Sequence, residues 1–437
     1  MQTQRAPAAT EKTKAGLVRA MGGWDLVALA INGMIGAGIF GFPSQVFKTI
    51  GVYSLGAFVV CGIFIAMIVY CFAEVGSRFD GTGGPYLYAH EAFRPVVGFE
   101  VGWLIWLARL TAFAANLNLL VDYVGYFWVG LASPTGRPAL IIALTTALTI
   151  VNIVGVKDAA LASNIFTIGK LAPLACFVLV GLFFVRFDNF TPGPVPPIGD
   201  FSKAVLLLVY AFTGFEMAVI PAGEIKDPRR SLPLAILRAL AVVTVTYVLI
   251  QVVCIGTFPE LGSSSRPLAD ASARFMGRGG AGFITAGAVI SVIGTLNVLV
   301  LAGSRLPFAM SERGELPQIL AATHAKFRTP YVSILVTAVV MTVLTLTGTF
   351  IYAATISIIA RLLAYAATCA ALLVFRSRKT APQALFNAPG AAVVAVLSLL
   401  LICWLLANCK GTDARDAAIA AGTGLVVYGL FRLRRTS

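Results

Sequence analysis

The sequence predicts an all-α polytopic membrane protein of about twelve transmembrane helices, and three observations carry that expectation. The 437 residues are 58% hydrophobic and only 12% charged, with a mean hydropathy of +0.88, whereas soluble chains are about a quarter charged. Apolar runs long enough to cross a hydrocarbon core of roughly 30 Å recur along the whole length. These runs are too long and unbroken for barrel strands, and lipid offers no partner to free backbone groups, so the spans should be helices.

Taken in order, residues 1–23 form a polar tail without the apolar stretch of a cleaved signal peptide, so the first span should be retained. The expected spans are 25–47, 51–77, 96–130, 138–155, 160–185, 202–222, 232–257, 279–309, 331–347, 350–375, 390–409 and 414–432. The formal charge of +14 follows this topology. With the N-terminus inside, inner tails and loops hold Arg5, Lys12, Lys14, Arg19, Arg78, Arg94, Arg229, Arg230, Arg305, Arg313, Arg376, Arg378 and Arg432 among others, while the outer side is sparser. Both termini are therefore expected in the cytoplasm of a plasma-membrane protein, and the basic balance is no nucleic-acid footprint. Seven cysteines form no C-x-x-C pair, and His90 and His324 have no nearby Cys or second His. No metal or other cofactor is expected. The apolar spans contain no G-x-S-x-G, H-E-x-x-H or Cys/His spacing, so no enzyme is expected.

The first span contains INGMIGAGIFGFP, with Gly33, Gly36, Gly38 and Gly41. Glycine costs roughly 1 kcal/mol relative to Ala inside a helix, so local unwinding is one reading. Close helix packing is the other, since Gly33, Ala37 and Gly41 recur at four-residue spacing on one face. The sixth span favours unwinding. There Gly214, Pro221 and Gly223 interrupt a second apolar run that carries Glu216 at membrane depth. One broken span opens a set of five and the other opens the next five, the pointer to an inverted-repeat transporter with its site at the breaks. Residues 24–186 would form the first repeat, 201–378 the second, and 389–437 two further spans with the C-terminal tail. A broken helix offers free N–H groups at one end and free C=O groups at the other, so it suits a zwitterionic amino acid.

Three segments carry a family resemblance: GMIGAGIF, AFTGFEMAVIPAGEIKDPRRSLPLAI and SRLPFAMSERGELPQILAATHAKFRTP. They resemble the amino acid, polyamine and organocation (APC) permeases, over about residues 20–380. The resemblance implies the five-plus-five inverted-repeat fold of the sodium-coupled leucine transporter. It also implies secondary transport of an amino acid by alternating access, either proton-coupled or exchanging. The substrate carboxylate would meet the amides of Gly36, Ala37 and Gly38. The ammonium would meet carbonyls of Met34, Tyr210 and Thr213, beside Gly214, and Tyr210 resembles a gate.

Lys170 is a cation near mid-membrane, where an ionisable side chain is a functional candidate by default rather than a snorkelling one. In sodium-independent members of the family that it resembles, such a lysine takes the place of a sodium ion. It would either couple transport to protons or brace the helices. The third span resembles the family's arginine/agmatine antiporter, aligning Arg109, Phe113 and Asn116 with pocket positions. Arg109 departs from a pocket for a cation, and Arg361 lies at similar depth one turn before Tyr365. Two roles stay open for the arginines. They would pair with Glu216 as a brace, or one would bind a second carboxylate on an acidic amino acid or other organic anion. Glu224, Lys226, Asp227, Arg229 and Arg230 would form an inner gate or meet lipid headgroups. The partners expected are a small amino acid, membrane lipid and, for the coupled reading, protons. The sequence leaves open the oligomeric state and whether the chain is a carrier or a non-transporting receptor.

Overall fold

A computed structural model describes residues 23–79, 84–155, 159–216, 228–378 and 381–436, and among these the regular structure is helical throughout. The helices in chain order are α1 (Gly23–Met34), α2 (Ala37–Ile50), α3 (Ser54–Gly76), α4 (Pro85–Ala92), α5 (Pro95–Val124), α6 (Gly136–Val154) and α7 (Ala159–Gly181). They continue as α8 (Ile198–Phe212), α9 (Pro228–Thr257), α10 (Pro267–Glu312), α11 (Tyr331–Thr347), α12 (Phe350–Ser377), α13 (Ala391–Ala407) and α14 (Gly411–Thr436). Six helical stretches among the described residues are long and apolar enough to cross a bilayer. In one of them α2 runs on into α3 through a short 3-10 turn, with Gly51 at φ 56° between the two. Shorter apolar helices at Gly169–Phe184 and Tyr331–Thr347, and the pair α13–α14 bent by 116°, supply the rest. The arrangement is consistent with twelve spans.

Two boundaries compare instructively with the sequence expectation. The third span was expected to reach residue 130, yet α5 ends at Val124, and Tyr126, Phe127 and Trp128 follow in a turn and a short link. Phe127 and Trp128 are exposed, the behaviour of aromatic residues at a membrane–water boundary. The eighth span keeps its expected start near residue 279: the helical run begins at Pro267, but its first segment is divided from the long span at Gly277 (φ 64°).

The first span is broken. The last helical bond of α1 runs from the Ile35 N–H to the Ile31 carbonyl at 2.9 Å. Gly36 is then extended (φ −137°, ψ −151°) and α2 starts at Ala37. The sixth span stops at Phe212, and Thr213 is extended (φ −74°, ψ 161°). Gly214 takes φ 108°, which a residue with a side chain rarely adopts. Pro221, Gly223, Glu224, Lys226 and Asp227, and the side chain of Arg229, lie outside the described residues.

Candidate substrate site

The two breaks meet backbone to backbone. A Cβ on Gly214 would overlap the Gly33 carbonyl, and one on Gly38 would lie 2.6 Å from Ala211 Cα. Glycine therefore serves packing at Gly38, where α2 crosses α8, whereas at the extended Gly36 a Cβ would make ordinary contacts with Thr295 at 3.6 Å and Asn116 Oδ1 at 3.8 Å.

A broken helix leaves orphan carbonyls before the gap and orphan amides after it, and burial makes each one costly unless it is paired. Side chains from three other helices reach into this gap. Lys170 Nζ, from α7, donates to the carbonyls of Asn32 (2.9 Å) and Ile35 (3.0 Å). An ammonium at the C-terminal end of α1 also sits at the negative end of its dipole. Tyr247, from α9, has its hydroxyl 3.0 Å from both the Met34 and the Ala211 carbonyls, tying the first break to the end of α8. Asn116, from α5, accepts from the Ala37 N–H at 3.3 Å and donates to Tyr210 Oη at 2.7 Å and to the Ala112 carbonyl at 2.8 Å.

A cavity of about 500 Å³ opens onto the breaks, lined by Met34, Gly36, Ala37, Gly38, Asn116, Lys170, Tyr210, Thr213, Gly214 and Arg361 among others. On the α2 side the lining residue Tyr210 packs against further rings. Phe42 stands edge-on to Tyr210 at 5.7 Å and stacks on Phe350 at 5.0 Å. At the opposite end the lining runs past Val151, Asn152 and Gly155 of the α6 terminus to Arg305 and Thr329. Val151 is 41% exposed there, and Gly155 and Arg305 are exposed as well. The sequence expectation would place these helix ends on the inner side.

Behind the wall lies an ionic cluster. Glu216 accepts from Arg361 through one carboxylate oxygen, and through the other from the Gly214 N–H (2.8 Å) and Tyr365 Oη (2.9 Å). Arg361 and Glu216 are both about nine-tenths buried or more. Arg109 does not join them. Its Nη1 donates to the Ala302 carbonyl of α10 at 2.7 Å, and neither Arg109 nor the fully buried Phe113 is part of the cavity wall. Tyr365 and Glu216 likewise stand behind the wall. Asp122, nearer the outer end of the third span, pairs with Arg137 at 3.0 Å rather than with either arginine.

Sequence reasoning missed Tyr247, the polar lining Asn152, Asn297 and Thr329, and the placement of Arg305 in the cavity. A signal existed for Tyr247, since a hydroxyl within the apolar run VVTVTYVLIQVV has to find a partner when buried. It also missed Glu74 of α3, fully buried, which binds Arg78 (2.9 Å), Arg376 (2.6 Å) and the Ala388 N–H (3.1 Å). Among the described residues no group of three His, Cys, Asp or Glu side chains gathers as metal ligands do.

Known proteins similar to this chain are membrane transporters. The methylthioribose transporter of Bacillus subtilis is 28% identical over 97% of this chain and 95% of its own length. The serine/threonine exchanger SteT of the same organism is 28% identical over 95% of the chain and 97% of its own. Its branched-chain amino acid permease BcaP is 27% identical over 97% and 95%. The pattern of the family described as amino acid permease matches residues 21–430. With its paired helix breaks around a central cavity, this multi-pass membrane protein belongs to the amino acid permease family, whose members are transporters rather than enzymes.

Proposed function

We propose that this protein carries a small zwitterionic amino acid across the cytoplasmic membrane by alternating access. One observation carries the reading: opposite helix ends, the N-terminus of α2 and the C-terminus of α1, meet the end of α8 at one end of a cavity of about 500 Å³. That volume lies in the range of small-molecule sites. The substrate carboxylate sits at the first-turn amides of Gly36, Ala37 and Gly38, and the ammonium at the carbonyls of Met34, Tyr210 and Thr213. In this reading both termini are cytoplasmic, 24–186 and 201–378 are the two repeats, and the cavity end that holds Arg305 faces the cytoplasm. Lys170 stands where a coupling cation would bridge α1 and α7, and its two carbonyl bonds support a role in holding the break. Coupling by its protonation predicts that Lys170→Met loses proton-driven accumulation. A purely bracing role predicts that accumulation follows the pH gradient at a reduced rate.

A second reading, an acidic amino acid as substrate, draws on one observation. Among the described residues, the charged side chains lining the cavity, Lys170, Arg305 and Arg361, are all cations. Against it, Arg361 already holds Glu216. Uptake of labelled L-alanine, L-serine, L-glutamate and methylthioribose into proteoliposomes, with and without a pH gradient, separates these readings. Alanine or serine uptake without glutamate supports the neutral amino acid. Glutamate uptake supports the second reading, and uptake of the sugar alone would overturn both. Specific binding without flux would make the chain a receptor.

A further inference from the structure

Of the three cations that line the cavity, Arg361 is paired with a carboxylate and Lys170 is spent on backbone carbonyls, but Arg305 is not so engaged. Its Nη1 donates to the Leu301 carbonyl at 3.0 Å, one turn back on its own helix, and among the described residues no carboxylate pairs with it. A guanidinium has five N–H donors, so most of the fork is left for a ligand.

The bland alternative is that Arg305 snorkels to the headgroups, and the direction of its side chain argues against it. Residue 305 lies near the inner end of α10, so snorkelling would send it toward the helix C-terminus. The bond to Leu301 instead turns the guanidinium toward the helix N-terminus, into the cavity and toward the breaks. Asn297, Leu301 and Arg305, four residues apart, run down one face of α10, and all three line the cavity. Across from them Asn152 Nδ2 donates to Asn297 Oδ1 at 2.9 Å, and Thr329 Oγ1 donates to the Ile153 carbonyl at 2.6 Å. The mouth is therefore polar on three sides.

Thr295, beside Gly36, is ten residues before Arg305, about 15 Å along the helix axis at 1.5 Å per residue. Even with the guanidinium turned back one turn, a single amino acid cannot reach Arg305 while its carboxylate is on the α2 amides. We propose that Arg305 forms a second, cytoplasmic station that holds the substrate's carboxylate before it reaches the breaks or after it leaves them. The polar pair Asn152–Asn297 and Thr329 border this station. Arginine's fork suits a carboxylate, and a cation at the mouth of a cleft with no carboxylate partner among the described residues draws anions inward. This station rests on the amino-acid reading of the central site.

The test is sided transport: half-saturation for the amino acid measured from each face, in right-side-out and inside-out membrane vesicles, for wild type, Arg305→Gln and Arg305→Lys. The expected result is that Arg305→Gln raises half-saturation on the cytoplasmic face about tenfold and leaves the outer face unchanged, with Arg305→Lys in between. Raised ionic strength should weaken cytoplasmic-face affinity in wild type and not in Arg305→Gln. No change on either face, or an equal change on both, overturns the station. Wild-type vesicles that carry no amino acid from either face would overturn it together with the amino-acid reading. An unchanged melting temperature of purified Arg305→Gln checks that the exposed site is not needed for folding.

Discussion

At the scale of single residues, the protein answers each helix break with a specific side chain. Tyr247 is the most economical of these, one hydroxyl between the Met34 and Ala211 carbonyls. Tyr247→Phe should cost only about 1 kcal/mol of stability yet lower transport affinity markedly, because α1 and α8 lose their common tie. A melting curve and a transport titration of the same variant check this, and unchanged affinity would count against the tie. Glu216 is the opposite case, a buried charge whose loss leaves Arg361 unpaired. Glu216→Leu alone should destabilise by about 3–5 kcal/mol, while Glu216→Leu with Arg361→Met should recover much of that loss. If the single variant melts like wild type, the pair is no brace. The sequence put Glu216 at membrane depth and offered it two arginines, but it could not choose between them. That choice depends on how α5 and α12 are rotated about their axes, and Arg109 and Arg361 differ in this rather than in depth.

At the scale of elements, the glycines of the first span divide their labour. Gly38 passes within 2.6 Å of Ala211 if a Cβ is added, whereas Gly36 has ordinary contacts at 3.6 Å. Gly38→Ala should therefore push α2 off α8, costing about 1–3 kcal/mol and abolishing transport, while Gly36→Ala folds with little loss. Thermal melting of the two variants decides it, and equal behaviour would contradict the close crossing. The chain unwinds at Gly36, while close packing, read in the sequence for the Gly33, Ala37 and Gly41 face, is found at Gly41 against the Phe350 ring and also at Gly38, which that reading did not name. The sequence signal was clear because two apolar runs each carry helix-weakening residues at the start of a five-span set. A second element-scale feature left no such signal. The Glu74 carboxylate gathers Arg78, Arg376 and the Ala388 amide, joining α3, the end of α12 and the approach to α13. In sequence Arg376 lies 302 residues and Ala388 314 residues from Glu74, and Arg78 and Arg376 read only as inner-face charges. Glu74→Ala should cost about 3 kcal/mol or more, read as a lowered melting temperature in detergent, and an unchanged one would show the network to be dispensable.

At the scale of the whole molecule, class and architecture were legible because they follow from hydropathy and charge, which are sums over many residues. The candidate site was legible as a shared cavity as far as backbone chemistry reached: Met34, Gly36, Ala37, Gly38, Tyr210, Thr213 and Gly214 line one cavity together with Lys170 and Asn116. It was not legible where side-chain direction decides, so Arg109 and Phe113 face packed helix contacts, while Arg305, taken for a loop charge, faces the cavity. The central claim is that the paired breaks recognise the amino-acid backbone itself. The most direct test is counterflow of a labelled amino acid in proteoliposomes, competed by L-alanine, its methyl ester and ethylamine. Competition by the zwitterion alone is the predicted result. Competition by the ester or the amine as strong as that by alanine would show that neither the α2 amides nor a carboxylate decides binding, and would contradict the account.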